Sequence, residues 1–465
     1  MKLSEILAYQ PLVRRIPDAR MQIRKKLIAS GKRLVVIDDD PTGMQTIHGV
    51  SVFMNWTVDA LCKAIASLAP VFFVETNSRS MSPAEAQALS LEVGRNLREA
   101  IRQEGVEILL ASRSDSTLRG HFPCEVDALT SGLGLELDGI IIAPAFFEAG
   151  RYTIDDVHWA EQDGELVPVH QTEFARDPLF GFKNSNLKAW VAEKMDNKVG
   201  VEDIRSVSLR LLREGGPEAV TRELLSISGR APIIVNATSY EDLEIMTLGI
   251  IEAEEKGKRF AYRCAASFIK ARGGFEDKPL LTHQDLATGG GPGLIVAGSY
   301  VEKTTRQLQQ LLSSGLAEGI ELRVQELQHP ESRRGEIESI SKLVNQKLAA
   351  GVTTALYTSR KLEITSKRDF QEIGNTIARS LCEVVRRIQF RPGYLVAKGG
   401  STSIELARRA LNAKEAFAIG QITNGVPVWR LGAEARWPDI PYVVFPGNVG
   451  DDNALVRVLN TLTSD

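Results

Sequence analysis

Short apolar runs rich in β-branched residues alternate with longer stretches of helical periodicity along the chain, which predicts α/β architecture with largely parallel sheets. In the first half the candidate buried strands are 33–37 (RLVVI), 71–74 (VFFV), 107–111 (EILLA), 139–143 (GIIIA) and 233–235 (IIV). A helix is expected over 83–103, where Ser82 can cap, Pro83 takes the first helical position and Glu85 adds first-turn negative charge. After 293 a second alternating set begins, with strands expected at 294–297, 321–326, 353–356, 393–397 and 441–445. Helices are expected there over 301–313, 334–350, 368–388, 402–411 and 451–462. The stretch between, 271–293 (ARGGFEDKPLLTHQDLATGGGPG), is polar, Gly-rich and aperiodic, and reads as a linker rather than as a phosphate cradle. The predicted organisation is therefore two α/β domains, 1–270 and 294–465, each a mostly parallel sheet flanked by helices. Residues 155–190 read as an irregular loop or hairpin insertion, long enough to suggest a functional cover.

Open parallel sheets bind ligands outside the carboxyl ends of their strands, so the segment after each strand carries the chemistry. The first strand runs into Asp38-Asp39-Asp40-Pro41-Thr42-Gly43 and the second into Glu75-Thr76-Asn77-Ser78-Arg79. The third leads into SRSDSTLRGH (112–121) and the fourth into PAFFEAGR (144–151). Any one such loop is ordinarily a solvated turn. Four strand ends carrying carboxylates, hydroxyls and Arg79, Arg113, Arg119 and Arg151 describe a pocket for a small, hydroxylated, acidic molecule, because the arginine fork matches an anion bidentately.

The second half offers glycine instead. GSYVEKTTRQL comes after 294–297, KGGSTSIELARRAL after 393–397 and PGNVGDDNAL after 441–445. Three strand–glycine–helix junctions in one sheet suggest phosphate binding, with Asp451 and Asp452 expected in the first turn of the last helix. Gly31-Lys32 and Gly257-Lys258 are both succeeded by Arg, so there is no Walker loop, and no GxGxxG comes after a strand. His121 and His158 lack a partner at helical spacing and read as hydrogen-bonding residues rather than metal ligands.

Composition narrows the classes further. At 465 residues with 43% apolar and 25% charged positions the chain is ordinary and globular. Its net charge of −3 argues against nucleic acid as a partner. Cys62, Cys124, Cys264 and Cys382 show no metal-ligand or disulfide spacing and read as reduced, mostly buried thiols. The start has no signal-peptide core, and no run approaches about 18 apolar residues, so neither a membrane partner nor a spanning helix is expected, and a cytoplasmic location is.

Taken together, DDPTG (39–43), SDSTLRGH (114–121), PAFFEAGR (144–151), GSYVEKTTRQ (298–307), KGGSTS (398–403) and PGNVGDDNAL (446–455) resemble the four-carbon acid sugar kinase family. TEFARDPLFG (172–181) is similar to its larger subgroup. The resemblance implies ATP-dependent phosphorylation of the terminal hydroxyl of a C4 sugar acid such as threonate, erythronate or a 3-oxo-tetronate. It implies an N-terminal acid-sugar domain, a C-terminal nucleotide domain and Mg²⁺ held mainly by ATP oxygens and water, with no dedicated protein metal site. It leaves room for a homodimer. Asp39 is then the expected base and Asp115 its orienting partner or alternative. The expected substrate contacts are Asp40, Thr42, Gly43, Arg79, Ser116, Arg119, Glu148 and Arg151, the three arginines facing the substrate carboxylate. The expected nucleotide contacts are Ser299, Lys398, Gly399, Gly400, Ser401, Thr402, Gly447 and Asn448. Two other readings stay open from the residues themselves: an aldolase or dehydratase acting on a similar acid, and a sensor that binds acid sugar and nucleotide without turnover.

Overall fold

The structure is a computed structural model that describes residues 2–286, 288–360 and 367–463, with 367–373 described by their backbone alone. The chain forms two compact units, Met1–Thr46 with Asn55–Asp277, and Ile47–Met54 with Lys278–Asp465. The strands are β1 (Arg33–Asp38), β2 (Val50–Phe53), β3 (Val71–Glu75), β4 (Ile108–Arg113), β5 (Gly139–Ala143), β6 (Arg151–Ile154), β7 (Val157–Gln162), β8 (Glu165–Pro168), β9 (Arg205–Val207), β10 (Ala231–Val235) and β11 (Phe260–Cys264). They continue as β12 (Leu294–Ala297), β13 (Glu318–Leu322), β14 (Thr354–Thr358), β15 (Leu395–Lys398), β16 (Glu415–Thr423), β17 (Val426–Leu431) and β18 (Pro441–Phe445).

In the first unit the order is β3-β1-β4-β11-β5-β10-β9, and every pairing is parallel. β3, β5 and β11 are buried at every position, as a sheet covered by helices on both faces requires. The chain passes from β1 to β3 on one side and then from β3 back across β1 to β4 on the other, which places the switch point at β1. In the second unit β13-β14-β12-β15-β18 are parallel, and β17, β16 and β2 extend the sheet antiparallel. Its switch point lies between β12 and β15. Both units are thus α/β, as the patterning predicts.

Several details depart from the sequence reading. Segment 47–54 belongs to the second unit, where β2 pairs with β16. β11 is an addition to the expected strands; it separates β4 from β5, so the loop after β5 is not next to the loop after β4. The strand expected at 321–326 ends at Leu322 and gives way to a 3-10 turn, Val324–Leu327. The last helix opens at Ala454, so Asp451 and Asp452 precede it and pair instead with Arg457 and Arg306. The 155–190 insertion is mostly regular: β6, β7 and β8 form an antiparallel meander, succeeded by 3-10 turns and the helix Leu187–Lys194. Gly289–Gly291 lie before β12, with the carbonyls of Gly290 and Gly291 packed close to Gly393, at the end of the strands away from the β12 and β15 loops. Capping at 82–85 forms as expected, with reciprocal Ser82–Glu85 bonds.

The helices Pro83–Glu104 and Cys124–Leu133 meet backbone to backbone. A Cβ on Gly94 would sit 2.5 Å from the Leu129 carbonyl oxygen, and one on Gly132 would sit 2.6 Å from that of Leu91. Gly94→Val should therefore lower unfolding stability by about 1–3 kcal/mol despite the better helix propensity of valine. Urea unfolding tracked by far-UV signal tests this, and an unchanged midpoint would contradict the close approach.

Candidate active site

Parallel register brings Asp38 level with Glu75 of β3 and Arg113 of β4, so one row of the first unit's sheet ends in three charged residues. Asp38 is fully buried. Its Oδ1 accepts from Arg113 Nη1 at 3.1 Å and from the Asp40 amide at 3.3 Å, while Oδ2 has no donor. That free oxygen points at Gly43, where a Cβ would lie 1.9 Å away. Burial pushes the Asp38 carboxyl up to about 7; Asp39 and Asp40 add to the shift and Arg113 opposes it. Burial, and then the Asp38 charge, raise Glu75 well above the ordinary range.

Asp39 is 3% exposed and sits in the fork of Arg79: Nη2 reaches Oδ1 at 2.5 Å and Nε reaches Oδ2 at 3.2 Å. The Ser114 hydroxyl also donates to Oδ2. The remaining Arg79 nitrogen, Nη1, donates to Asp40 Oδ2 at 2.9 Å. Asp40 Oδ1 accepts from the amide and hydroxyl of Thr42 at 2.8 and 2.7 Å, capping the 3-10 turn Pro41–Met44. Burial works against the Asp40 charge, yet Arg79 and Arg113 hold its carboxyl below the usual range. Arg79 is thus saturated by carboxylates of its own unit rather than waiting for a substrate's.

Asp115 accepts from Thr117 Oγ1 and from Arg119 Nε at 2.7 Å. Burial opposes its ionisation, but the Arg119 and Arg79 charges keep it low. Arg119 and Arg151 both lie over the ring of Phe174, at 5.0 and 5.7 Å, and Arg119 Nη1 stands 3.7 Å from Asp177. Arg151 Nη1 donates to the carbonyls of Ala149 and Gly150, and its Nε is buried without a partner. Among the described residues no carboxylate lies within ion-pair distance of Arg151, so of the three arginines it has the most to offer an anion. Ser116 presents its carbonyl to His158 Nε2 at 2.7 Å, which fixes His158 Nδ1 as acceptor from Thr153 Oγ1 at 2.9 Å. Burial lowers His158 to about 4, as a neutral ring in this arrangement requires. His121 Nε2 donates to the Ser78 carbonyl at 3.1 Å and meets the Phe180 ring edge-on. Glu148 lies aside from this group, taken by the Tyr240 hydroxyl at 2.6 Å and by Lys270 at 3.6 Å.

Two participants escaped the sequence reading. Arg263, at the end of β11, donates from Nη2 to the Arg119 carbonyl at 3.1 Å. It lies near Gly120, where a Cβ would be 2.3 Å from Ser114 Oγ and 3.2 Å from Asp39 Oδ2. Glu125, buried, accepts from Ser78 Oγ. Burial, with Asp39 adding, lifts its carboxyl to about 7. The signal for Arg263 was the five-residue run FAYRC after the polar stretch EEKGKR, masked by its tyrosine and arginine.

In the second unit the three glycine junctions converge. β12, β15 and β18 are adjacent, and their carboxyl ends deliver Ser299, Gly399 and Gly447 to one place. A Cβ on Gly447 would lie 2.7 Å from Ser299 Oγ; one on Gly399 would lie 3.1 Å from both Ser299 Cβ and Thr402 Oγ1. Gly399, at φ 119°, also has a backbone conformation that other residues avoid. Thr304 Oγ1 ties the loops by donating to the Gly447 carbonyl at 3.0 Å. A helix opens at Gly400 and continues in wider turns to Ala410, with Ser401 exposed at its start. Asn448 is exposed on the β18 loop. Lys398, in contrast, points inward: fully buried, it donates to the Pro446 carbonyl at 2.5 Å and lies 3.9 Å above the Phe445 ring. Burial, and then the nearby Lys303 charge, pull its amine down to about 6.

Comparison with known proteins gives two family matches along the chain. Residues 34–272 match the family described as the sugar-binding N-terminal domain, and residues 294–455 the one described as the nucleotide-binding C-terminal domain. The chain belongs to the four-carbon acid sugar kinase family. It is 25% identical over 441 residues to a D-threonate kinase of Salmonella typhimurium, spanning 92% of this chain and 97% of that protein. It is 24% identical over 455 residues to a D-erythronate kinase of Heliobacterium modesticaldum, with coverage of 92% and 97%. A crystal structure of a Haemophilus influenzae protein shares the fold with a TM-score of 0.62 and 18% identity, over 92% of this chain and all of that one. Among the described residues no helix is long and apolar enough to cross a membrane.

The buried acids make a pH signature. Asp38 and Glu125 hold protons in the folded state up to about pH 7, whereas the unfolded chain releases them from about pH 4. For these two acids the folded state binds more protons across that window, so their contribution to stability falls as pH rises through it, whereas buried, neutral His158 contributes in the opposite sense below about pH 6.5. Removing one acid isolates its share: between pH 5 and pH 7.5 the stability of Glu125→Gln should change more favourably with pH than that of wild type, by about 1–3 kcal/mol. Thermal melts of both proteins over that range decide it; parallel pH profiles would contradict a buried, protonated Glu125.

Proposed function

We propose that this chain transfers the terminal phosphoryl group of ATP to the terminal hydroxyl of a four-carbon sugar acid, such as threonate, erythronate or a 3-oxo-tetronate, giving its 4-phosphate. In class it is a phosphotransferase with an alcohol group as acceptor, as its kinase relatives are named. One observation carries the reading: the same chain pairs a strand-end pocket of carboxylates, hydroxyls and Arg151, whose Nε is buried without a partner among the described residues, in one unit with a strand-end convergence of glycines and hydroxyls in the other.

Phosphoryl transfer asks the protein for position and charge rather than covalent chemistry. The Asp39 carboxylate, oriented by Arg79 and Ser114, accepts the proton of the attacking hydroxyl; Asp115 is the alternative. Arg151 and Arg119, set side by side over Phe174, hold the carboxylate of the acid. Asp40, Thr42 and Gly43 shape the turn beside Asp39, and Ser116 adds to the pocket's polar wall, whereas Glu148 stays with Tyr240 and Lys270. In the second unit the fit to a nucleotide rests on the close approach of the Gly399 and Gly447 backbones to Ser299 and Thr402, which leaves little room for a Cβ and gathers amides and hydroxyls at one strand-end cluster. Backbone amides of Gly399, Gly400 and Ser401 with the hydroxyls of Ser299, Ser401 and Thr402 would hold phosphate oxygens. Lys398 acts from beneath by fixing the Pro446–Gly447 turn. Mg²⁺, carried in by ATP, would neutralise triphosphate charge.

ADP release with MgATP against D- and L-threonate, both erythronates and the 3-oxo-tetronates tests the reading. Turnover with one acid is expected, and silence across the panel would overturn it. Asp39→Asn should lower kcat by about 10²–10⁴-fold while keeping acid affinity. Arg151→Met should instead raise KM for the acid by about 10-fold or more with ATP affinity unchanged.

A further inference from the structure

Arg360 lies two residues beyond β14, the strand beside β12, and no motif of the sequence marks it. Its Nη2 donates to the Ser299 carbonyl at 2.6 Å and to Thr305 Oγ1 at 2.9 Å, and its Nε donates to Thr305 Oγ1 at 3.1 Å. The guanidinium is thus pinned to the residue at the centre of the glycine convergence. Its third nitrogen is unused: Nη1 is buried and has no hydrogen-bond partner among the described residues. The Tyr300 ring lies 5.4 Å beneath the guanidinium and fixes its plane, and the Tyr300 and Thr358 hydroxyls nearby are likewise buried without a well-formed partner.

Charge makes the case sharper. Arg306, Arg323, Arg334 and Arg387 of the same unit each pair with a carboxylate. Among the described residues no carboxylate stands within ion-pair distance of Arg360, of Lys303 on the helix after β12, or of Lys398. A half-buried cation with a buried, unsatisfied nitrogen and no counter-charge among the described residues is costly unless an anion comes to it. A phosphate oxygen, with its several lone pairs, suits a planar fork better than a point charge.

We infer that Arg360 is a phosphate-chain ligand of the second unit, its Nη1 donating to a phosphate oxygen of the bound nucleotide while Ser299 and Thr305 hold the rest of the guanidinium in place. The inference rests on the nucleotide reading above and deepens it: the site grips the phosphates beyond the first, from a loop that the glycine motifs do not include.

Calorimetric titration of the full chain with ATP, ADP and AMP, without any acid sugar, tests it. Wild type should bind ATP. Arg360→Gln should weaken ATP by about 10- to 100-fold, ADP clearly and AMP by less than about 2-fold. Arg360→Lys should recover part of the ATP affinity. Thr305→Val keeps the charge but removes its anchor, and should show the same phosphate-graded pattern with a smaller loss, so the test stands even where Arg360→Gln folds poorly. Equal losses on all three nucleotides, or no loss in either variant, would overturn the role of Arg360 while leaving the nucleotide site standing. Wild type that binds none of the three would overturn the nucleotide reading and Arg360 with it.

Discussion

Three aspartates in succession at a parallel strand end pose an electrostatic problem that organises the whole first unit. Asp38, at the end of β1, and the two residues after it cannot all be charged, buried and unpaired at once. The fold answers each differently. Asp38 faces Arg113 across the register but keeps one oxygen bare and holds its proton. Asp39 and Asp40 share the planar head of Arg79, which reaches both only because β3 lies beside β1 and its loop returns over the strand end. Ser114, delivered from β4 on the other side, completes Asp39. Remove any one strand from the order β3-β1-β4 and a buried carboxylate loses its donor.

The same arrangement explains why glycine appears where it does. At Gly43 the backbone is unexceptional, and the constraint is the oxygen of Asp38 pressed against the position a Cβ would take. At Gly399 a positive φ and a close approach act together, because three strand ends converge there. The sequence signature, Gly after a strand, is identical in the two units. Its cause is a crowded carboxylate in one and the convergence of three strand-end loops in the other.

That difference marks the limit of what could be read from sequence. The strands that end at Asp38, Glu75, Arg113 and Ala143 are continuous apolar runs and were legible, as were the capping box at Ser82 and the strand–glycine–helix junctions. β11 was not, because Tyr262 and Arg263 interrupt its apolar run; with it went Arg263, which lies beside Gly120 and donates to the Arg119 carbonyl. β2 was missed because four residues with an antiparallel partner more than 360 positions away leave no local periodicity to find. Which arginine is open to a ligand was also invisible. Arg79, Arg119 and Arg151 look equivalent as letters, and only their neighbours show that Arg79 is saturated and Arg151 is not.

Compared as separate units, the two strand-end clusters obey opposite charge logic, each at the carboxyl ends of parallel strands. The first gathers acids and compensates nearly all of them internally, so that one carboxylate is held in a fixed orientation and one arginine, Arg151, is left without a carboxylate partner among the described residues. The second gathers Lys303, Arg360 and Lys398 and supplies no nearby carboxylate to any of them among the described residues. An uncompensated positive cluster persists in a folded protein when the missing charge arrives with a ligand, since stability given up in the free chain returns as binding free energy. Lys398 limits that penalty by burial, which favours its neutral amine, whereas an arginine has no such escape at any ordinary pH. Arg360 must therefore stay charged and wait, and that physical difference between the two side chains separates the residue that shapes the second site from the one built to meet an anion there.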